Sequence, residues 1–190
     1  MTFRTHIKRL AGKCFYQLRQ LRTVRGALIL DASKAVVNAF VSIRVNYCNS
    51  VFSLLRVKHR HPLQSVLNAA ARVVTRRRKD DHISDVVRDQ LHWLSITERI
   101  EYVMCSLVYK CLHQLASQYL VEMCKVVSVL PGCRNLRSAS RSALVELRMK
   151  TSTYEPRSFA VCGPRTWNRL QSNLRDHSLS AKQFSSFLKT

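Results

Sequence analysis

Glycine, proline and acidic residues are all scarce in this chain. Four glycines and four prolines in 190 residues give little turn punctuation, which disfavours a β-sandwich or an α/β fold and favours helices. Only 11 Asp and Glu stand against 32 Lys and Arg, so the net charge is +21. A charge of this size predicts a polyanionic partner: RNA, DNA or an acidic membrane surface.

The sequence also lacks the motifs that carry common chemistries. It contains no CxxC, no zinc-finger spacing, no GxGxxG, no GxxxxGK[ST] and no GxSxG. The adjacent pair Asp80 and Asp81 is interpreted as helix-cap and loop charge, since no strand–turn–strand pattern places it in a two-metal site. We therefore predict no catalytic residue, no metal site and no cofactor. The seven cysteines, odd in number and scattered through helical patterns, predict reduced and mostly buried thiols.

Long apolar runs are absent as well. No stretch of 18 apolar residues occurs, and the basic start MTFRTHIKRL is not followed by the apolar core of a secretory signal. These features predict an intracellular chain, in the nucleus or the cytoplasm, that is neither secreted nor inserted in a membrane.

The first 22 residues have the pattern of a basic amphipathic helix. Apolar residues recur every three or four positions, and the opposite face carries Arg4, Lys8, Arg9, Lys13, Arg19 and Arg22 without a neutralising acid. Such a helix can lie on a membrane or on phosphates, or it can be a core helix with a solvated basic face. Aromatics between basic residues can stack on bases, but the spacing of Phe15, Phe159 and Trp167 favours core positions.

The middle of the chain predicts several further helices. Residues 32–54 are apolar on nearly every side, which indicates a buried central helix, with a strand as the alternative for residues 41–45. Pro62 suits the first turn of the next helix. Ser95 and Glu98 form a capping box that begins the most regular helix of the sequence.

The composition shifts near Pro131 and Gly132. We therefore expect two domains, residues 1–130 as a helical bundle and residues 131–190 as a basic C-terminal extension. Alternating apolar residues from Val145 predict short strands near residues 143–150, and Ser180 is a candidate cap for a terminal helix. The predicted fold class is mainly α, with a small α+β C-terminal part.

Basic side chains are the candidate binding residues. Arg76, Arg77, Arg78 and Lys79 form a run that is either a phosphate-contacting loop or a weak nuclear-import signal. We expect phosphate contacts, which do not read sequence, from this run and from both ends of the chain. The predicted nucleic-acid-binding residues are Arg4, Lys8, Lys13, Arg19, Arg22, Arg76, Arg77, Arg78, Lys79, Arg157 and Arg165.

Several stretches together resemble a known family. They are FYQLRQLRTVR, ILDASKAVVNAFVSIRVNYCNSVF, the span from LQSVLNAAARVVTRRRKDDHISDVV through LHWLSITERIEY to VEM, and YEPRSFAVCGPRTWNRLQSNLR. Their order is similar to that near the C-terminus of non-LTR (LINE-type, jockey-like) retrotransposon reverse transcriptases. The motifs YCNS, NAAARVVT, DHI, LHWL and PRTWN carry this resemblance jointly.

The resemblance implies a thumb-like helical bundle and a C-terminal extension that grip RNA or an RNA–DNA duplex. It also implies a palm-containing reverse transcriptase as a second partner. The catalytic carboxylates of that family, including the F/Y-A-D-D turn, lie upstream of this region and are absent here. The chain therefore resembles a non-catalytic fragment of an RNA-directed DNA polymerase. The family's Gly-Leu-Pro turn after NYCNS is replaced by VFSLLRVKHRHP, and the chain stops at FLKT, which together predict a decayed or truncated copy.

Overall fold

The fold is mainly α, as the sequence predicts. The structure is a computed structural model that describes residues 3–47, 52–53, 57–129, 142–147, 158–176 and 178–189. Its α-helices are α1 (Phe3–Val24), α2 (Leu30–Val37), α3 (Ile43–Asn46), α4 (Val57–Thr75), α5 (Ile96–Leu112), α6 (Gln118–Val121), α7 (Phe159–Asn168) and α8 (Ala181–Phe187). Short 3₁₀ turns occupy Arg25–Ala27, Val127–Val129 and Ser172–Arg175, and π-helical turns occupy Asn38–Ser42 and Val86–Gln90.

The chain divides into two compact units. Unit 1 contains Met1–Asn49 and Leu55–Arg99, and unit 2 contains Ser50–Leu54 and Ile100–Thr190. The division therefore falls within α5, whereas the boundary predicted from composition lies near Pro131, outside the described residues.

Unit 1 is built on the contact between α1 and α4. The helix α1 buries one stripe that includes Ile7, Cys14 and Leu18. The helix α4 buries a wider stripe, in which small residues such as Ala70 allow a close approach of its neighbours. Both helices thus show the apolar periodicity that their sequences predict.

The segment after α1 differs from its prediction. The helix α2 runs through the π-helical turn Asn38–Ser42 into α3, so no strand forms there. Only one side of this continuous helix is buried, including Val37, Val41 and Val45. Its other side exposes Phe40, 59% of Ile43 and 73% of Tyr47, so the prediction of a helix buried on all sides is wrong. In unit 1 the longer helices that pack against this helix are α1 and α4, and the apolar residues of its other side stay exposed.

Two predicted details of the helix termini have different outcomes. The capping box is confirmed, because the Glu98 N–H donates to Ser95 Oγ at 3.3 Å and the Ser95 N–H donates to Glu98 Oε2 at 2.8 Å. Pro62, by contrast, lies inside α4 rather than at its start.

Unit 2 has an aromatic core. The ring of Phe184 stacks on Tyr109 with centroids 4.5 Å apart and lies 5.7 Å from Trp167. The polar atoms of these rings are satisfied, since Tyr109 Oη donates to the Leu179 carbonyl at 2.6 Å and Trp167 Nε1 donates to the Ser142 carbonyl at 3.1 Å. Trp167 is thus a core residue, as predicted, and the Ser180 cap of α8 is also confirmed.

The predicted strands near residues 143–150 are replaced, in the described part, by one antiparallel bridge between Val126 and Leu144. The reason is a side chain that occupies the other edge of this segment. Asn168 accepts from the Leu144 N–H at 2.8 Å and donates to the Leu144 carbonyl at 2.9 Å, as a neighbouring strand would. Residues 148–150 lie outside the described residues.

Candidate nucleic-acid interface

The exposed face of α1 is basic along its whole length. This helix has 22 residues, so it is about 33 Å long. All five predicted binding residues on it are exposed: Arg4, Lys8, Lys13, Arg19 and Arg22. No acid occurs in α1 to neutralise them. Helical spacing places Arg4, Lys8, Arg19 and Arg22 along one flank and Lys13 on the outer side.

Two aromatic residues interrupt this basic face. Phe15 is 42% exposed and Tyr16 is 61% exposed. The prediction that Phe15 belongs to the core is wrong, because the core stripe of α1 passes through Cys14 and Leu18 instead. Phe159, which was also predicted to be core, is partly buried and packs against the aromatic cluster of unit 2.

The C-terminal ends of α1 and α4 meet, and two arginines join them. Arg25 donates from Nε to the Val73 carbonyl at 3.0 Å and from Nη2 to the Val74 carbonyl at 2.6 Å. In return, Arg76 Nη2 donates to the carbonyls of Arg25 at 3.4 Å and Gly26 at 3.2 Å. Each helix end therefore receives an arginine donor from the other, in the region where helix carbonyls run out of intrahelical donors; the Arg25 carbonyl also accepts from the Leu28 N–H at 3.3 Å.

The guanidinium of Arg25 is buried, and the partners described for it are backbone carbonyls. Burial, and then the charge of Arg76, lowers the pKa of Arg25. A third bond, from Nη1 to the Leu28 carbonyl at 2.6 Å, completes its set of backbone partners. Sequence reasoning missed this residue, because the carbonyls that it binds lie about 50 positions later in the chain.

The basic loop, residues 76–79, begins with a left-handed residue. Arg76 has a φ of 56°, and the Arg77 N–H donates to the Arg72 carbonyl at 3.1 Å. This is a Schellman-type ending in which an arginine takes the position that usually holds glycine. Arg76 is exposed like the other three basic residues, but its Nη2 also bonds the end of α1, so it has a structural role as well.

The rest of the loop is exposed at Arg77, Arg78 and Lys79, and hydrogen bonds with Asp81 hold its backbone in place. Asp81 Oδ2 accepts from the Arg78 N–H at 2.8 Å, and the Asp81 carbonyl accepts from Arg72 Nη2 at 3.0 Å. The interpretation of Asp81 as a loop-capping carboxylate fits these contacts. A fixed backbone presents the three cations at the place where α1 also ends.

These observations define a surface that we call the basic edge: Arg4, Lys8, Lys13, Arg19 and Arg22 of α1 with Arg77, Arg78 and Lys79 of the loop. The contact between the ends of α1 and α4 brings its two sequence-distant parts together in unit 1. Arg165 is in unit 2, partly buried, with its Nε 3.8 Å from Glu146 Oε2, and Arg157 lies outside the described residues.

The described cysteines are buried thiols. Burial raises the pKa of Cys105 and of Cys124 to about 12 in each case. Both thiols are thus neutral at ordinary pH, which makes them poor nucleophiles and poor metal ligands. Cys48 and Cys133 lie outside the described residues.

A metal site or a membrane-spanning helix would be recognisable in the described ranges. There, no group of three or more His, Cys, Asp or Glu side chains is placed to hold a metal ion. None of the helices described is both long and apolar enough to cross a bilayer. Fold and surface together define a mainly α protein with a basic helical edge. Comparison with family models, with curated proteins and with solved structures yields no match.

Proposed function

We propose that this chain is a non-catalytic nucleic-acid-binding module of intracellular location that binds RNA or an RNA–DNA duplex through phosphates. The basic edge is the observation that carries the proposal. Eight exposed cations lie along a helix and loop of unit 1; α1 contains no acid, and Asp80 and Asp81 directly follow the loop. Exposed Lys and Arg release counterions from a phosphate backbone without reading its sequence.

The resemblance to the thumb of LINE-type reverse transcriptases supports the same proposal. A thumb grips the duplex beside the polymerase centre and does not itself perform chemistry. The absence of the family's F/Y-A-D-D turn from this sequence fits a fragment that binds but does not polymerise.

Binding as a function of salt tests the proposal. Fluorescence anisotropy would measure the affinity for an RNA–DNA duplex over a series of salt concentrations. We expect the logarithm of the affinity to fall steeply and linearly with the logarithm of salt concentration. An affinity that does not change with salt would refute the proposal. A primer-extension assay with the purified chain should give no product.

A second candidate function rests on the apolar side of the helix formed by α2 and α3. Phe40, Ile43 and Tyr47 are exposed there, at spacings of three and four residues. Contiguous exposed apolar surface marks an interaction site or an aggregation liability. In this alternative the chain is a relic fragment that depends on a partner, such as a palm-containing reverse transcriptase, or that has no function of its own.

Size-exclusion chromatography with light scattering, together with apolar-dye binding, tests the alternative. It predicts self-association or strong dye binding by the wild type, which Ile43→Lys reduces. Leu115→Lys is the matched control, since Leu115 is also exposed but lies in unit 2. A wild-type chain that is monomeric and does not bind the dye would contradict this alternative.

A further inference from the structure

The basic face of α1 lacks a side chain at Gly12, and we call this gap in the row of side chains the notch. This glycine is exposed, and a Cβ built on it would meet no atom within 4 Å. Glycine inside a helix costs about 0.5–1 kcal/mol relative to alanine. No neighbour in the described structure comes close enough to require a small residue there. The consequence of the glycine is therefore open space on the surface.

Two exposed rings border this notch. Phe15 and Tyr16 follow Gly12 by three and four residues, and residues at these spacings are neighbours on a helix surface. Large exposed apolar rings are costly in water, and here the adjacent position lacks a side chain that could cover them. The notch is thus bordered by two flat apolar surfaces.

Cations lie one helical turn from the two rings. Lys8 precedes Gly12 by four residues, Lys13 precedes Tyr16 by three, and Arg19 follows Phe15 by four residues. All three are exposed. A flat apolar surface among cations matches the chemistry of a nucleobase joined to phosphates, since bases stack on aromatic rings while Lys and Arg contact the backbone.

From this arrangement we infer that the notch at Gly12, with Phe15 and Tyr16, is a stacking site for unpaired nucleobases. The inference deepens the proposed function and rests on it. It specifies the substrate class as a single strand, either alone or continuing from a duplex. Paired bases are stacked on one another, so their faces cannot reach the rings, whereas unpaired bases can.

The test compares two probes of equal length, an unstructured single-stranded RNA and a blunt RNA–DNA duplex, by fluorescence anisotropy with the full chain. The variants are Gly12→Leu, which fills the notch, and Tyr16→Ala, which removes a ring. Tyr119→Ala is the matched control, because Tyr119 and Tyr16 are both 61% exposed. Thermal unfolding followed by circular dichroism is measured for every variant.

We expect Tyr16→Ala to weaken single-strand binding by about 5-fold to 160-fold, the range for loss of one stacked base. Gly12→Leu should weaken it similarly while raising the unfolding temperature, because leucine is the better helix former. A loss of binding that accompanies a gain in stability separates an occupied site from damage to the fold. Duplex affinity and the effect of Tyr119→Ala should both stay near the wild-type value.

The results distinguish failure of the stacking site from failure of the proposed function. If the wild type binds both probes with steep salt dependence but the variants match it, the stacking site is refuted and the proposed function stands. Equal losses on the single strand and on the duplex also refute the stacking site. If the wild type binds neither probe, the proposed function fails and the stacking site fails with it.

Discussion

The basic loop has two proposed roles, contact with phosphates and contact with the end of α1. Replacement of Arg77, Arg78 and Lys79 by glutamine tests the first role alone. All four basic residues of the loop are exposed, but of these Arg76 also donates hydrogen bonds to the end of α1. The triple variant therefore removes three charges from the basic edge and leaves the contact between the two helix ends in place. We expect its unfolding temperature to match that of the wild type.

The expected loss of binding follows from counterion release. Each phosphate contact contributes about 0.9 to the slope of log affinity against log salt, so three lost contacts reduce the slope by about 2.7. If the wild type and the variant bind equally at about 1 M salt, this difference in slope predicts that the variant binds about 10²-fold to 10³-fold more weakly at about 0.1 M salt. Anisotropy titrations of an RNA–DNA duplex at several salt concentrations measure both quantities.

A charge-matched triple variant supplies the control. Lys110, Lys125 and Lys182 are exposed lysines of unit 2, and their replacement by glutamine lowers the net charge by the same amount. We expect a much smaller change of slope from this control. Equal changes in the two triple variants would refute the assignment to the basic edge and indicate a diffuse effect of net charge. An unchanged slope in the loop variant would show that the loop does not contact phosphate.

The remaining predictions concern stability. Arg25→Leu should lower the free energy of unfolding by about 1–3 kcal/mol, measured by urea denaturation, because buried carbonyls at the end of α4 lose their donor; an unchanged midpoint would contradict this role. Cys105 and Cys124, each with a pKa of about 12, should resist alkylation at pH 8 in the native chain but not in urea, measured by peptide mass spectrometry. Because unfolding returns each thiol to its ordinary value of 9.0, their contribution to stability should be complete below pH 9 and should decline as pH rises toward 12. Asn168→Ala should speed amide hydrogen exchange at Leu144, since Asn168 accepts the hydrogen bond of that amide; protection equal to the wild type would show that the backbone holds this segment alone.

Local signals predicted the helices well. The apolar periodicity of α1 and α5 and the capping box at Ser95 depend on residues three or four positions apart, which one stretch of sequence contains completely. Trp167 as a core residue follows from the same kind of spacing. Such features need no knowledge of what packs against the helix.

The wrong predictions concern residues whose burial or strand pairing depends on a packing partner that is distant in sequence. The helix through Phe40 and Ile43 is apolar on both sides, but only one side has a neighbour in unit 1. Phe15 fits the core spacing, yet the packing of α1 on α4 uses the stripe one position away. The strand predicted at Val145 is limited by Asn168, a side chain from a helix more than 20 residues later.

In the candidate site, too, some features follow from the sequence and others depend on packing. The sequence by itself determined the charge of +21, the absence of acids from α1 and the run of four basic residues, because composition and helical period are properties of the chain alone. Only the tertiary structure decided which cations remain available to a ligand. It assigns Arg76 to the end of α1 and buries Arg25 against α4, because the carbonyls that bind them come from helix ends about 50 residues away. The same packing leaves Arg77, Arg78 and Lys79 exposed beside the end of α1 and leaves Phe15 and Tyr16 uncovered beside Gly12.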